Sequence, residues 1–311
     1  MVSSNVVRRH RAGALAASMA LAMAGCASVA SSSVSPAEVS TGSGPASGTA
    51  ATPASLSGCP PAQPEAALPV LAHLAGSPDD LTVDRAGHIW VTALAAHRIT
   101  ELTASGTVIA TLSDPGGPEG IVELPDGRFV VADQETNALS TFAAGVRAPT
   151  RLLTLSNHSS NLGVDGIYYD TVAQRLLVPD SPNGTLLAYA VGGATTALVH
   201  GLGRPVAATT DPAGNTYIGM ENAPGVLMVA PNGATRSLSS FRQVDEVVYL
   251  NGLLYVADLA GTVAAVDPAS GRTTTLVTAA PEPQGLAATA AGTLLLVDEA
   301  ARTITTLRPC R

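Results

Sequence analysis

Between Asp79 and Leu307 one pattern returns six times: an acidic or polar residue, a small residue, an apolar pair, a turn, and an apolar run that closes on Asp in most copies. The copies open with Asp79-Asp80-Leu81, Glu119-Gly120-Ile121, Asp165-Gly166-Ile167, Pro205-Val206-Ala207, Asp245-Glu246-Val247 and Gln284-Gly285-Leu286, at spacings of 40, 46, 40, 40 and 39 residues. Turn glycines Gly87, Gly127, Gly214, Gly252 and Gly292 keep the same beat, with one copy missing near Ala173. A unit of this size cannot bury its own apolar face, so the six must stack against one another.

Each copy reads as four short strands. In the second copy they fall near Ile121 to Leu124, Arg128 to Ala132, Ala138 to Phe142 and Thr150 to Leu155, separated by Pro-Asp-Gly and other turn signals. The second strand is apolar without alternation, as in Phe129-Val130-Val131 and Leu294-Leu295-Leu296-Val297, and such a strand must be covered on both faces. A radial stack of twisted sheets does this, and the expected fold is all-β: a six-bladed β-propeller of four-stranded antiparallel blades. The last copy holds only three strands before the chain ends, so its fourth must come from elsewhere. Ala67 to Leu74, with its Pro near the start, is the expected N-terminal strand that closes the ring. Cys59 and Cys310 flank the repeats and are expected to form a disulfide where the ends meet. A TIM barrel would need amphipathic helices, which the sequence lacks, and an open solenoid would not need its ends to meet.

Ahead of the repeats the chain reads as an address and a spacer. Arg8, Arg9 and Arg11 precede an apolar run from Ala12 to Ala24 that is too short for the ~20 residues of a membrane-spanning helix, so residues 1–25 are read as a signal peptide. Met23-Ala24-Gly25-Cys26 resembles the bacterial lipobox, which implies acylation of Cys26 through its sulfur and a lipid anchor at the new N-terminus. Residues 26–64, rich in Ser, Ala, Thr, Gly and Pro, are read as a flexible tether, and residues 65–311 as the propeller domain. The expected location is the outer face of a bacterial cytoplasmic membrane, or the periplasm.

Composition narrows the chemistry. The chain of 311 residues has a formal net charge of −8, and all 16 of its basic residues are Arg, because it contains no Lys. That excludes a phosphate-gripping P-loop Lys and any Schiff-base Lys, and the acidic balance argues against a nucleic-acid partner. With 3% aromatic against 46% hydrophobic residues, the core must be built from Ala, Val, Leu and Ile.

In a propeller the innermost strands surround a central channel, so equal steps of each repeat form a ring. The expected ring is Asp79, Glu119, Asp165, Pro205, Asp245 and Gln284. Two unit charges ~7 Å apart at an effective dielectric of about 20 repel by roughly 2 kcal/mol, so the crowding needs relief. A hard divalent cation such as Ca²⁺, raised pKa values, and hydration of a wet channel are the three available answers.

The openings Glu-Gly-Ile, Asp-Gly-Ile and Gln-Gly-Leu, with Asp-Gly turns and Val-Ala-Asp strand ends, resemble the senescence-marker/gluconolactonase propellers and the related NHL and YWTD propellers across Asp79 to Leu307. The resemblance implies one divalent cation held by ring residues. Matched in chain order from Glu119 the family's ligands fall on Glu119, Asp245 and Gln284, and matched from Asp79 they fall on Asp79, Pro205 and Asp245. Asp165 is a further ring acid placed to be a ligand, with Gln284 at the ligand mouth. It also implies Asp165 as a general base for hydrolysis of a lactone. No Asn stands in the ring, although that family uses one. The expected function is therefore binding of a small molecule or protein ligand at the acidic mouth of a monomeric, lipid-anchored propeller. The alternative is a divalent-metal-dependent lactone hydrolase.

Asp133, Asp180, Asp258 and Asp298 close the second strand of four blades and are expected to cap the following turns. His73, His88, His97, His158 and His200 fall at unrelated repeat steps, and no Gly-x-Ser-x-Gly elbow is present, so a serine hydrolase is not expected. Trp90 reads as core. Asn157-His158-Ser159 and Asn183-Gly184-Thr185 match a glycosylation pattern that a bacterial chain does not need.

Overall fold

The computed structural model describes residues 55–156, 163–222, 225–239 and 241–311. The signal peptide, Cys26, most of the tether and the 157–159 glycosylation pattern lie outside them. Six antiparallel sheets follow one another along the chain. Their innermost strands are Leu81–Val83, Pro118–Glu123, Tyr168–Asp170, Pro205–Thr210, Val244–Leu250 and Pro283–Ala288, here taken as blades 1 to 6. Blade 2 runs Pro118–Glu123, Arg128–Asp133, Ala138–Ala143 and Thr150–Thr154, within a residue or so of the sequence reading at most ends. Its innermost strand starts earlier, because Pro118 already pairs with Asp133.

The second strands account for the stacking. Phe129, Val130, Val131 and Ala132 are all buried, as are Leu294 to Val297. Neither face of such a strand meets water, because each is covered by an adjoining blade. Between blades 1 and 2 this contact is aromatic: Trp90 lies 4.4 Å from Phe129 and 5.5 Å from Phe142, centroid to centroid. The other inter-blade clusters are built almost entirely from Leu, Val, Ile and Ala with a few tyrosines, as in Ala207, Tyr217, Val244, Leu254 and Val256 between blades 4 and 5.

The hairpin between first and second strands needs a left-handed residue, which Gly127 supplies at φ 84°. Blade 3, where the glycine is missing, places Gln174 there at φ 54°. The cost is offset locally: Asp170 accepts hydrogen bonds from the amides of Val172 and Ala173, and the Gln174 side chain donates to the Thr171 carbonyl at 2.7 Å.

Closure follows the expected scheme. Val70–His73 pairs antiparallel with Thr303–Leu307 as the fourth strand of blade 6, and Cys59 is bonded to Cys310. The Cys310 amide also donates to the Tyr255 hydroxyl at 3.0 Å. One element was not expected: Gln63–Pro64 adds a short parallel strand to the outer edge of blade 5, against Val277 and Thr278. The Ser55 amide donates to the Arg311 carbonyl, so ordered chain begins at least ten residues before the expected boundary at 65, inside the segment read as tether.

Because the Cys59–Cys310 bridge closes a loop with a sequence separation of 251 residues, the chain-entropy model assigns it on the order of 4 to 5 kcal/mol. A Cys59→Ser/Cys310→Ser variant should retain its strand circular dichroism and lose denaturant stability on that scale. An unchanged midpoint would show that the strand pairing alone holds the ring shut.

Candidate functional site at the axial mouth

Strand register decides which residues face the axis together. Pro118, Pro205, Val244 and Pro283 each pair with the last residue of the neighbouring second strand. The step after them is Glu119, Val206, Asp245 and Gln284, joined by Asp79 and Asp165 from blades 1 and 3. The gap in the expected ring is therefore Val206, and Pro205 lies one step outside it.

The following step explains the small residue in the repeat. The Gly120 amide donates to the Asp165 carbonyl at 3.2 Å, Gly166 to Val206 at 2.7 Å, and Gly285 to Asp79 at 3.1 Å, so neighbouring blades are joined backbone to backbone. A Cβ on Gly166 would fall 2.4 Å from the Val206 carbonyl oxygen, and one on Gly120 would fall 2.6 Å from the Gly166 Cα. Only glycine permits this approach. Blades 1 and 5 instead place Asp80 and Glu246 at the same step, and these acids lie beneath the ring. Both line a central cavity of about 190 Å³, with Ile121, Ile167, Tyr168 and Tyr249 among its walls.

A further set of groups, unnoticed in the sequence, comes from the residue directly after the second strand in blades 2, 3, 4 and 6. Gln134 donates its amide to Glu119 and, at 3.3 Å, to Asp165. Glu299 accepts from the Gln284 amide at 3.0 Å, and the Ser181 hydroxyl donates to the Pro205 carbonyl at 2.5 Å. Glu221, at the same step of blade 4, is ion-paired with Arg204. Arg204 also donates to Asp165 at 3.1 Å. It stands where blade 2 has Gly117, and it shares that residue's left-handed backbone, φ 52° against 74°. For a residue with a side chain this conformation costs on the order of 1 kcal/mol, which two carboxylate partners repay. For Gln134, Ser181 and Glu299 the signal was their constant repeat step, one place beyond the strand-ending Asp.

The mouth is electrostatically lopsided. On the side of blades 2 to 4, Glu119 and Asp165 are met by Gln134 and Arg204. On the other side, Asp245 and Asp79 flank Gln284, and neither carboxylate makes a side-chain hydrogen bond among the described residues. Asp80 and Glu246 lie below that arc. Burial first, then the charges of Glu299, Asp165 and Asp80, holds the Asp79 carboxyl well above the usual range. Burial and then Asp165, Asp79 and Glu246 do the same for Asp245. Burial pushes Asp80 up to about 7 against the pull of two backbone amides, and it raises Glu119, Asp165 and Glu246 as well. Arg204 is the main influence pulling Asp165 back down.

Of the expected residues, Asp79, Glu119, Asp165, Asp245 and Gln284 do share one mouth. They do not form a ready cation cage, since among the described residues no three His, Cys, Asp or Glu side chains converge to hold a metal ion. Asp165, the expected general base, is engaged by both Arg204 and Gln134. The donor set does not fit the family's cation, because two of the four expected acid ligands already spend oxygens on protein donors.

Three of the described histidines have partners away from the axis: His88 pairs with Glu101 at 3.0 Å, His97 with Glu135 at 3.1 Å, and His200 contacts Thr185 at 3.3 Å; His158 lies outside the described residues. Asp258 and Asp298 cap turns as expected, accepting from the amides of Ala260 and Arg242, and of Ala301 and Glu282. Asp133 and Asp180 act differently, bonding the side chains of Ser140 and Asn183.

The chain is a six-bladed β-propeller, and solved propellers share its fold. A gluconolactonase from Xanthomonas campestris is 14% identical over 83% of this chain and 96% of its own, with a TM-score of 0.66. The PQQ-bound aldose sugar dehydrogenase of Streptomyces coelicolor is 14% identical, covering 77% and 96%, with a TM-score of 0.63. Virginiamycin B lyase from Staphylococcus aureus is 16% identical, covering 75% and 80%, with a TM-score of 0.59. Residues 73–189, spanning blades 1 to 3 up to the third strand of the latter, match the family described as SdiA-regulated. No curated protein matches the chain in sequence.

The raised carboxyl pKa values fix the sign of a pH effect. A carboxyl with a higher pKa folded than unfolded binds more protons in the folded state, so stability is fullest below about pH 4 for these groups and falls as pH rises through 7. Thermal unfolding should therefore give a higher Tm at pH 5 than at pH 8. Asp79→Asn and Asp245→Asn should flatten that slope, and parallel profiles for variant and parent would refute the assignment.

Proposed function

We propose that the protein is an exported, lipid-anchored binding propeller whose axial mouth takes a cationic group of a small molecule or protein ligand. The observation that carries this reading is the uncompensated arc Asp245–Gln284–Asp79, underlain by Asp80 and Glu246. A protonated amine seated there relieves carboxylate repulsion, donates hydrogen bonds to two carboxylates that have no other side-chain donor among the described residues, and meets the Gln284 amide oxygen as a third acceptor. Binding then draws the raised carboxyls into their ionised form, so protons are released as the ligand enters.

Export and anchoring rest on the Arg-rich, apolar and Cys26-terminated start of the chain. Among the described residues no helix is long and apolar enough to cross a membrane. The lactone-hydrolase alternative draws on the gluconolactonase likeness, which at 14% identity is a likeness of fold. The engagement of Asp165 by Arg204 and Gln134 favours binding over that chemistry.

Calorimetric titration of the purified protein with cadaverine tests the reading. Binding should release protons, seen as a heat that depends on the buffer. It should weaken by about 10- to 100-fold in Asp79→Asn or Asp245→Asn, the scale of one charge-assisted hydrogen bond. Absence of binding at low salt would sink the cation reading. Chelator-sensitive turnover of gluconolactone would replace it with the hydrolase.

A further inference from the structure

We propose that Arg204 is the resident cation of the mouth: its guanidinium stands in for a divalent ion, makes the propeller metal-independent, and leaves only the blade 5 to blade 1 arc open to an external cation. The inference concerns the same mouth as the proposed ligand site, but its test reads metal dependence and not ligand affinity.

Three observations converge on this residue. The first is its place. At the equivalent step blade 2 has Gly117 and blade 3 has Gly163, where a Cβ would run into Glu135 and into the Gln134 backbone respectively. Blades 5 and 6 carry Gln243 and Glu282 at this step, and only blade 4 places a cation there: Arg204, on a left-handed backbone, beside the Glu221 that follows its second strand. The second is its partners. One terminal nitrogen donates to Asp165 at 3.1 Å and the other pairs with Glu221, with both Arg204 and Asp165 side chains only 13% exposed. The planar fork of a guanidinium serves two carboxylates from two blades at once, and its charge cannot be titrated away. The third is what it leaves. With Asp165 claimed by Arg204, and Glu119 and Asp165 sharing the Gln134 amide, the ring acids of blades 2 and 3 no longer form an oxygen cage for a hard ion. A divalent ion entering that side would also sit against a fixed positive charge.

Removing the guanidinium reverses each point. It leaves Asp165, Glu119 and Glu221 facing an unfilled, partly dry space, the oxygen-rich and negatively charged setting that Ca²⁺ or Mn²⁺ favours. The mouth then becomes a divalent-ion site because its built-in cation is gone.

The test is thermal unfolding of the intact protein and of Arg204→Ala, Arg204→Gln and Arg204→Lys, each in chelator and in millimolar CaCl₂ or MnCl₂. The parent and Arg204→Lys should show the same Tm in both conditions. Arg204→Ala and Arg204→Gln should lose stability in chelator and recover several degrees with the divalent ion, as linkage requires of a ligand bound only by the folded state. Arg204→Gln keeps bulk and hydrogen-bonding capacity, so it carries the test if Arg204→Ala does not fold. A parent protein destabilised by chelator overturns the proposal without any variant. So does a folded Arg204→Gln that ignores both metals. Loss of cadaverine binding in the parent would bear on the ligand reading and leave this one standing.

Discussion

The burial of second strands on both faces is the constraint from which the rest follows. A strand such as Phe129-Val130-Val131-Ala132 has no side that tolerates water, so every blade requires two neighbours. Six blades can satisfy that demand at once only if the first also meets the last. Closure is thus not an ornament of the fold but the condition for its core. It is enforced three times over, by the Val70–His73 strand in blade 6, by the Gln63–Pro64 strand on blade 5 and by the Cys59–Cys310 bridge.

Closure also creates the chemistry. Joining blades at the axis brings backbones near enough to hydrogen-bond from Gly120 to Asp165 and from Gly166 to Val206, and the side chains one step away are gathered into one mouth. Acids far apart in the chain then raise each other's pKa, with burial as the larger cause. The protein answers that crowding unevenly. Gln134 and Arg204 quiet the side of blades 2 to 4, while Asp79 and Asp245 are left without side-chain donors among the described residues. The asymmetry gives the mouth a polarity that the near-sixfold fold alone would not.

Much of the architecture was legible because it is periodic. The 40-residue beat, the turn glycines and the three-stranded last copy led to blade number, strand order and the closing strand, and these match the structure. Where the period was imperfect, the reading slipped. The fourth copy has no ring acid to mark its phase, so Pro205 was read one step early, and strand pairing moves the ring position to Val206. The tether was drawn too long because Gln63-Pro64 has no apolar pattern, and only pairing with blade 5 orders it. The same limit hid Arg204: a single arginine outside any motif has no sequence signal until its backbone and partners are known.

The sequence by itself determined the blades, their number and the acids at the ring, because these depend on local periodicity of apolar, turn and acidic residues along the chain. Only the tertiary structure decided which acids are paired, which are left open, and that Arg204 reaches across to Asp165 and Glu221. Those outcomes depend on distances between residues of different blades, and such distances come into being only when the ring shuts.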